Sequence, residues 1–251
     1  MLNNMQHRQL EGAEQFKDAA IERMATDNRP TYPGYPATRL FMETFVEDIP
    51  DGPWELNPGE IPSRSETQLF RDLGLAIDSR GRPLHPWLKE MVTNPRIGVL
   101  AGRGFYWNWG PNQTADPIII RHDLAVPHAL LIDRGDTGEK AFAGGFVNPG
   151  ELAVVAAARE ALEEALFDPS GFPVRQVYDG PLSDTRATAH AWSHTTAFRF
   201  DVPNDVARNL PLGRYKGGDD AAFAEWLPVN NINGRLFGSH NLLLKLALEM
   251  D

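Results

Sequence analysis

The chain contains 251 residues, of which 42% are apolar and 23% charged, enough for a single large domain or for one full domain plus a smaller one. Its 34 acidic and 24 basic side chains give a net charge of −10, which argues against a nucleic-acid partner. The absence of cysteine excludes disulfides, thiolate zinc sites and a cysteine nucleophile. No apolar run has the length of a membrane span and the first residues show no signal core, so we expect no membrane partner and a cytoplasmic location.

The first 96 residues differ in texture from the rest of the chain. Proline recurs from Pro30 to Pro95, and each proline removes an amide donor and disfavours helix at the residue before it. Helices are expected only over 6–26 and 66–75. We therefore predict a smaller irregular N-terminal domain or arm over 1–96 and a second domain over 97–251.

Regular elements are predicted in the second domain. Apolar runs bounded by turn residues predict buried strands over 117–120 and 129–132, and the turn-forming residues 133–138 predict a hairpin. The segment 151–167 lacks glycine and proline and predicts a helix, whose apolar stripe we expect to dock on the domain; the stripe consists of Val155, Leu162 and Leu166.

Three further elements follow this helix. Alternating apolar residues over 195–202 predict a half-buried strand, and 223–229 predict another strand. The leucine-rich segment 239–250 predicts a closing helix with Ser239 as its N-cap.

A glycine-rich segment joins a predicted strand to the helix over 151–167. The helix carries Glu160, Glu163 and Glu164, whose spacing of three and four places their side chains on one face. Like charges so placed repel each other unless a cation neutralises them. Carboxylate oxygens suit Mg²⁺ or Mn²⁺, which often bridge to the phosphates of a substrate.

The spacing of six residues in this region matches the Nudix box, and the chain resembles a Nudix hydrolase. The matching residues are Gly145, Glu151, Arg159, Glu160, Glu163 and Glu164. The resemblance implies an α/β fold, a Nudix α/β/α sandwich with a mixed sheet. The chain departs from the box at Leu166, where the family has glycine, and at Ala161, where it has a larger aliphatic residue.

Further segments are similar to those of the animal mitochondrial ADP-ribose pyrophosphatases, a subgroup of this family. They are 102–104, 109–112, 115–119, 184–186 with 191–192, 218–221 with Trp226, and 239–240. The implied reaction is hydrolysis of ADP-ribose to AMP and ribose 5-phosphate, with a small-molecule substrate as the partner.

The resemblance also implies roles for individual residues. The metal ligands would be Glu160, Glu163, Glu164 and the Gly144 carbonyl. The catalytic groups would be Glu163, Glu164 and Arg159, the last orienting the carboxylates by a salt bridge, with Asp219 and Asp220 as distant candidates for the general base. Glu151 would cap or buttress the junction of loop and helix. The substrate-binding residues would be Asp184, Arg186, Phe237, Ser239 and Gly145.

Several alternatives remain open at this stage. The chain could be a non-catalytic sensor of ADP-ribose, or a Nudix hydrolase of another nucleoside diphosphate derivative. All three carboxylates of the box are present, which favours turnover over sensing. Phe237 could be a core residue, and Asp219 and Asp220 could be ordinary turn residues. The sequence leaves open the oligomeric state and the choice between Mg²⁺ and Mn²⁺.

Overall fold

The structure is a computed structural model that describes residues 60–88, 101–103, 106–135, 138–182, 184, 187–218, 221–232 and 234–250. The chain divides into two compact units, 1–112 with 184–193, and 113–183 with 194–251. The predicted helix over 6–26 and the predicted boundary between 96 and 97 lie outside the described residues, so both stay predictions. Among the described helices, none combines the length and the apolar character that crossing a bilayer requires.

The first unit contains helix α1, Arg64–Asp72, which confirms the helix predicted over 66–75 with earlier ends. Ser63 and Glu66 form a capping box: the Ser63 hydroxyl accepts the Glu66 N–H, and the Glu66 carboxylate accepts the Ser63 N–H. Phe70 is the buried residue of this helix.

The remaining elements build a single sheet with helices on it. They are β1 Gly110–Arg121, β2 His128–Arg134, β3 Lys140–Ala141, β4 Gly145–Phe146, α2 Ala153–Ala165, β5 Val174–Pro181, β6 Ala191–Val202, α3 Asn204–Ala207, β7 Tyr215–Lys216, β8 Ala221–Pro228, α4 Val229–Ile232 and α5 His240–Leu248. The strand order is β5-β6-β1-β2-β8-β7, with β3 beside β2 and β4 beside β1. The predicted hairpin is confirmed, because Ile132 pairs with Ala141 and Asp133 with Lys140.

Alternation along the central strands produces a core on each face of the sheet. Ile119 of β1 packs in one core with the alanines of α2, whereas Ile118 and Ile120 pack in the other with leucines of α5. Strand β2 divides in the same way, with Leu130 in the first core and Leu131 in the second. The predicted α/β/α sandwich is therefore confirmed in the second unit.

The prediction for the apolar stripe of α2 was wrong. Val155, Leu162 and Leu166 are 52%, 48% and 57% exposed. The side that docks on the sheet carries small residues instead, together with one carboxylate; they are Ala156, Ala157, Glu160, Ala161 and Ala165. Alanine brings the helix backbone close to the strands, so Glu160 becomes buried beside the sheet.

Two further expectations need correction. Strand β6 is not half-buried: Arg199 on its second face is 1% exposed, and its Nη1 donates to the Ala247 carbonyl in the last turn of α5, at 2.6 Å. Ser239 does hold the N-cap position of α5, but its side chain makes no capping hydrogen bond.

Candidate active site

The glycine-rich segment is held against β1 before it turns into α2. Gly145 pairs with Ala115 and Phe146 with Thr114, and the Val147 N–H donates to the Gln113 carbonyl at 3.0 Å. The loop 147–152 then leads to the helix. Glu151 closes this loop by accepting the Asn148 N–H at 2.8 Å, which agrees with the expected buttress, whereas Leu152 rather than Glu151 is the N-cap.

Arg159 joins three carboxylates of the box. Its Nε donates to Glu151 at 2.9 Å, and its Nη1 donates to Glu160 at 2.7 Å and to Glu163 at 2.8 Å. Its Nη2 also donates to the Phe146 carbonyl at 2.9 Å, which ties helix α2 to strand β4. These are the ion pairs expected for Arg159, while its part in catalysis stays a prediction.

The charges in this group do not balance. Burial raises the pKa of the Glu160 carboxyl, and the hydrogen bond and charge of Arg159 oppose that rise only in part. The hydrogen bond from Arg159 lowers the pKa of Glu151, and the same bond raises the pKa of Arg159. One guanidinium is thus shared among three carboxylates, and the buried one is the least compensated.

At the two positions where the segment meets the acids, a side chain larger than that of glycine would displace a carboxylate. A Cβ atom on Gly145 would lie 2.4 Å from Glu160 Oε1, and one on Gly144 would lie 2.2 Å from Asp116 Oδ1. The Gly144 N–H donates to Glu164 Oε2 at 3.1 Å. The structure therefore brings Glu160 and Glu164 to one glycine pair, and the carboxylate of Asp116, from strand β1, lies against the same pair.

The donor chemistry around this pair fits a hard divalent cation. The four predicted ligands, Glu160, Glu163, Glu164 and the Gly144 carbonyl, would supply oxygen only, which Mg²⁺ and Mn²⁺ prefer. In the described part of the chain, no three His, Cys, Asp or Glu side chains are gathered so that they could hold a metal ion. Since Arg159 occupies Glu160 and Glu163, binding an ion there would require these carboxylates to turn away from the guanidinium.

Asp116 is a candidate site residue that the sequence analysis missed. It lies on β1 and is 7% exposed; its Oδ2 accepts the Thr195 hydroxyl at 2.6 Å, and its Oδ1 lies 4.0 Å from His240 Nε2. One sequence signal could have indicated it: an acidic residue directly before the apolar run of a predicted buried strand. A carboxylate in such a place needs hydrogen-bonding partners, and these often belong to a site.

The other predicted site residues have different surroundings. Asp184 is half-buried and accepts the Ser193 hydroxyl at 3.1 Å. Phe237 is half-buried, and the Arg134 guanidinium lies 4.3 Å from the centre of its ring. Ser239 stands before α5, and the three remaining residues lie outside the described part of the chain; they are Arg186, Asp219 and Asp220.

Comparison with known proteins agrees with this architecture. The family profile described as NUDIX domain matches residues 114–245, more than half of the chain. Nudix hydrolase 6 of Caenorhabditis elegans is 35% identical over 159 residues, which cover 60% of this chain and 60% of that protein.

Two other relatives align over longer stretches. The mitochondrial ADP-ribose pyrophosphatase of Rattus norvegicus is 32% identical over 223 residues, 76% of this chain and 59% of that protein. A transient receptor potential cation channel subfamily M member-like 2 protein of Nematostella vectensis is 29% identical over 209 residues, 70% of this chain and 12% of that protein. The chain spans about three fifths of the length of the first two relatives. The family profile and the box geometry together show that this chain belongs to the Nudix family.

Proposed function

We propose that this Nudix hydrolase cleaves the diphosphate of ADP-ribose to AMP and ribose 5-phosphate, with Mg²⁺ or Mn²⁺ as cofactor. The observation that carries the proposal is the glycine pair Gly144 and Gly145, against which Glu160 and Glu164 lie. The 32% identity with a mitochondrial ADP-ribose pyrophosphatase supports the choice of substrate.

The ion would be held by Glu160, Glu163, Glu164 and the Gly144 carbonyl. When bound, a divalent ion neutralises non-bridging oxygens of a diphosphate and positions a water molecule for attack. Arg159 holds Glu160 and Glu163 at its guanidinium and ties the helix to Phe146, and these carboxylates would turn from Arg159 to the ion when it binds. Gly145, which we propose contacts the substrate, leaves room for the Glu160 carboxylate, since a Cβ atom there would lie 2.4 Å from Glu160 Oε1.

Asp219 and Asp220 remain our candidates for the general base. The residue before them, Gly218, donates its N–H to the Glu164 carbonyl at 2.9 Å, and a Cβ atom on it would lie 2.2 Å from the Glu163 carbonyl. The loop that carries the two aspartates therefore begins in contact with the end of the acidic helix, which supports this assignment.

The substrate would be recognised by residues outside the box. Asp184 suits hydrogen bonds from ribose hydroxyls, and Arg186 suits a phosphate. Phe237 suits stacking on the adenine, and because Arg134 already covers its ring, the base would use the opposite face. Ser239, at the start of α5, completes the proposed set.

The decisive test is product analysis after incubating the full chain with ADP-ribose and Mg²⁺ or Mn²⁺. We expect AMP and ribose 5-phosphate from the wild type and no product from Glu164→Gln. Glu249→Gln is the matched control, because Glu249, the C-cap of α5, is exposed and pairs only weakly with Lys245 at 3.7 Å. Wild-type turnover of another nucleoside diphosphate but not of ADP-ribose would overturn the substrate assignment.

A second candidate function is a non-catalytic sensor of ADP-ribose, favoured by the match with a channel protein over 70% of this chain. Saturable binding of ADP-ribose without products, measured by calorimetry, would support the sensor and contradict the hydrolase. We also propose that residues 1–96 form a domain that assists substrate binding, and that the protein is cytoplasmic; one relative is named mitochondrial.

A further inference from the structure

A chain of hydroxyl groups ends at the carboxylate of Asp184. The Tyr106 hydroxyl lies 3.0 Å from Ser193 Oγ, and Ser193 Oγ lies 3.1 Å from Asp184 Oδ2. Tyr106 and Ser193 are 2% and 5% exposed, whereas Asp184 is half-buried. The carboxylate is therefore the end of the chain that a ligand can reach. All three residues belong to the first unit.

The direction of these hydrogen bonds follows from the number of protons. An ionised carboxylate accepts only, so Ser193 must use its one hydroxyl proton to donate to Asp184. The Ser193 oxygen can then only accept from Tyr106, whose hydroxyl must be the donor. Each donation polarises the next, so the chain strengthens the last bond and fixes the orientation of the carboxylate.

We propose that Tyr106 and Ser193 are positioning residues, which hold the Asp184 carboxylate in the orientation that binds the ribose hydroxyls of the substrate. The inference rests on the proposed function, because it assigns these residues to the substrate-binding role of Asp184. The backbone of this region has its own anchor, the Ala187 N–H bonded to the Asp184 carbonyl at 3.1 Å. The serine hydroxyl thus adds control of the side chain to an existing turn.

A double-mutant cycle on the full chain tests this inference. We expect Ser193→Ala to raise KM for ADP-ribose about tenfold, and Tyr106→Phe about threefold, since a hydrogen bond to a charged group contributes more than a neutral one. kcat should change by less than about twofold, because the substrate is held less well but reacts in the same way. Ser193→Thr keeps the hydroxyl and should restore most of the wild-type KM.

Repeating the substitutions in an Asp184→Ala background distinguishes a positioning role from a folding defect. In Asp184→Ala, neither Ser193→Ala nor Tyr106→Phe should raise KM further, because the group that they orient is gone. Phe70→Leu is the structural control: it loosens the core of the same unit, and we expect a lower Tm with an unchanged KM.

Each outcome has a distinct meaning. Effects of Ser193→Ala that persist undiminished in Asp184→Ala, in a wild type that turns over ADP-ribose, would overturn the inference and leave the proposed function standing. A wild type that hydrolyses a different nucleoside diphosphate would overturn the proposed substrate, and the same cycle with that substrate would then decide the inference. A wild type that neither binds nor hydrolyses any of these compounds would overturn both.

Discussion

Two clusters of the molecule are each centred on one arginine, and they differ in how the charges balance. In the Arg82 cluster (Asp78, Arg82 and His190), Asp78 accepts Arg82 Nε at 2.6 Å together with two backbone N–H groups at 2.9 Å. In the Arg159 cluster (Glu151, Arg159, Glu160 and Glu163), one guanidinium serves three carboxylates.

The difference appears in the direction of the pKa shifts. Burial alone would raise the pKa of Asp78, but His190 and Arg82 hold it well below its ordinary value. Burial raises the pKa of Glu160, and its share of Arg159 does not reverse that rise. The first cluster is complete as a structural ion pair. The second is short of positive charge, as expected of residues that serve a cation and a substrate.

We expect the largest change in the free energy of unfolding when the ion pair of the Arg82 cluster is removed. Asp78→Asn removes the carboxylate that neutralises Arg82, whose side chain is 1% exposed, so we expect a loss of about 3 kcal/mol in the free energy of unfolding. Urea denaturation measures it. Asp179→Asn is the control: this carboxylate pairs with His194 but is 54% exposed, and we expect a change below about 1 kcal/mol. Equal losses of unfolding free energy in the two variants would contradict the view that the buried pair stabilises the fold more than the exposed pair.

Removing a carboxylate from the Arg159 cluster should lower turnover and leave the free energy of unfolding intact. Glu160→Gln removes a buried charge and relieves its repulsion with Glu151 and Glu163, so the free energy of unfolding should stay equal or rise. Under the proposed function, turnover of ADP-ribose should fall about 100-fold, because loss of this carboxylate would weaken the hold on the cation that stabilises the charge of the diphosphate. Paired denaturation and steady-state kinetics test this. A marked loss of stability with turnover retained would show that Glu160 is structural.

The sequence predicts those parts of the fold and of the candidate site whose residues lie close together along the chain. The box residues lie within one short segment, and the resemblance that they carry implies the fold class and the sandwich. The apolar run over 117–120 is local as well, and it predicts the buried strand whose side chains divide between the two cores. The Arg82 cluster joins Asp78 and Arg82 to His190, which lies more than a hundred residues away, and no pattern of spacing indicates it. Asp116 was missed for the same reason, since its partner Thr195 on the neighbouring strand β6 is 79 residues away along the chain.

The wrong prediction for α2 has a physical cause. The prediction rested on helical spacing, which gathers the large apolar residues Val155 and Leu162 on one stripe, and on the gain in free energy from burying their area. The sheet is instead met by alanines such as Ala157 and Ala161, both fully buried, because close approach of helix and strands gains packing that area alone does not predict. The positions of Asp219 and Asp220 lie outside the described residues, and their role stays a prediction.

Acidification should weaken the first unit through two of its buried histidines, His190 of the Arg82 cluster and His85. Burial lowers the pKa of His85 from 6.5 to about 4 and also lowers that of His190. Because the folded-state pKa lies below the unfolded one, the stabilising contribution is complete above pH 6.5 and is lost as the pH falls towards 4.

For His85 alone this amounts to about 2 kcal/mol between pH 6.5 and pH 5, at about 1.4 kcal/mol per pH unit. Urea midpoints of wild type and His85→Gln over this range provide the measurement. The variant should lose less stability on acidification, since its amide oxygen can accept the Trp87 N–H that His85 Nδ1 accepts. Parallel curves for the two proteins would exclude His85 as the source.

The smallest expected change in the free energy of unfolding concerns backbone strain at the C-terminal end of α2. In the first unit, the positive φ angles at 74 and 81 fall on glycine, whereas Leu166, the C-cap of α2, has φ +51. This is the position where the Nudix box has glycine. Leu166→Gly should raise the free energy of unfolding by about 1 kcal/mol, because a left-handed conformation costs that much for a residue with a Cβ atom.

Thermal unfolding of Leu166→Gly beside Gly150→Ala would isolate this strain. Gly150 has φ +80, and no atom lies within 4 Å of the place where a Cβ atom would be. Gly150→Ala should therefore add only backbone strain and lower the free energy of unfolding by about as much as Leu166→Gly raises it. Leu166 is 57% exposed, and the contact that it loses is with Gly218, before the two candidate base residues. A stabilised Leu166→Gly with lower turnover would indicate that the strain is retained to hold this loop against the acidic helix. A destabilised variant would instead show that the Gly218 contact outweighs the strain.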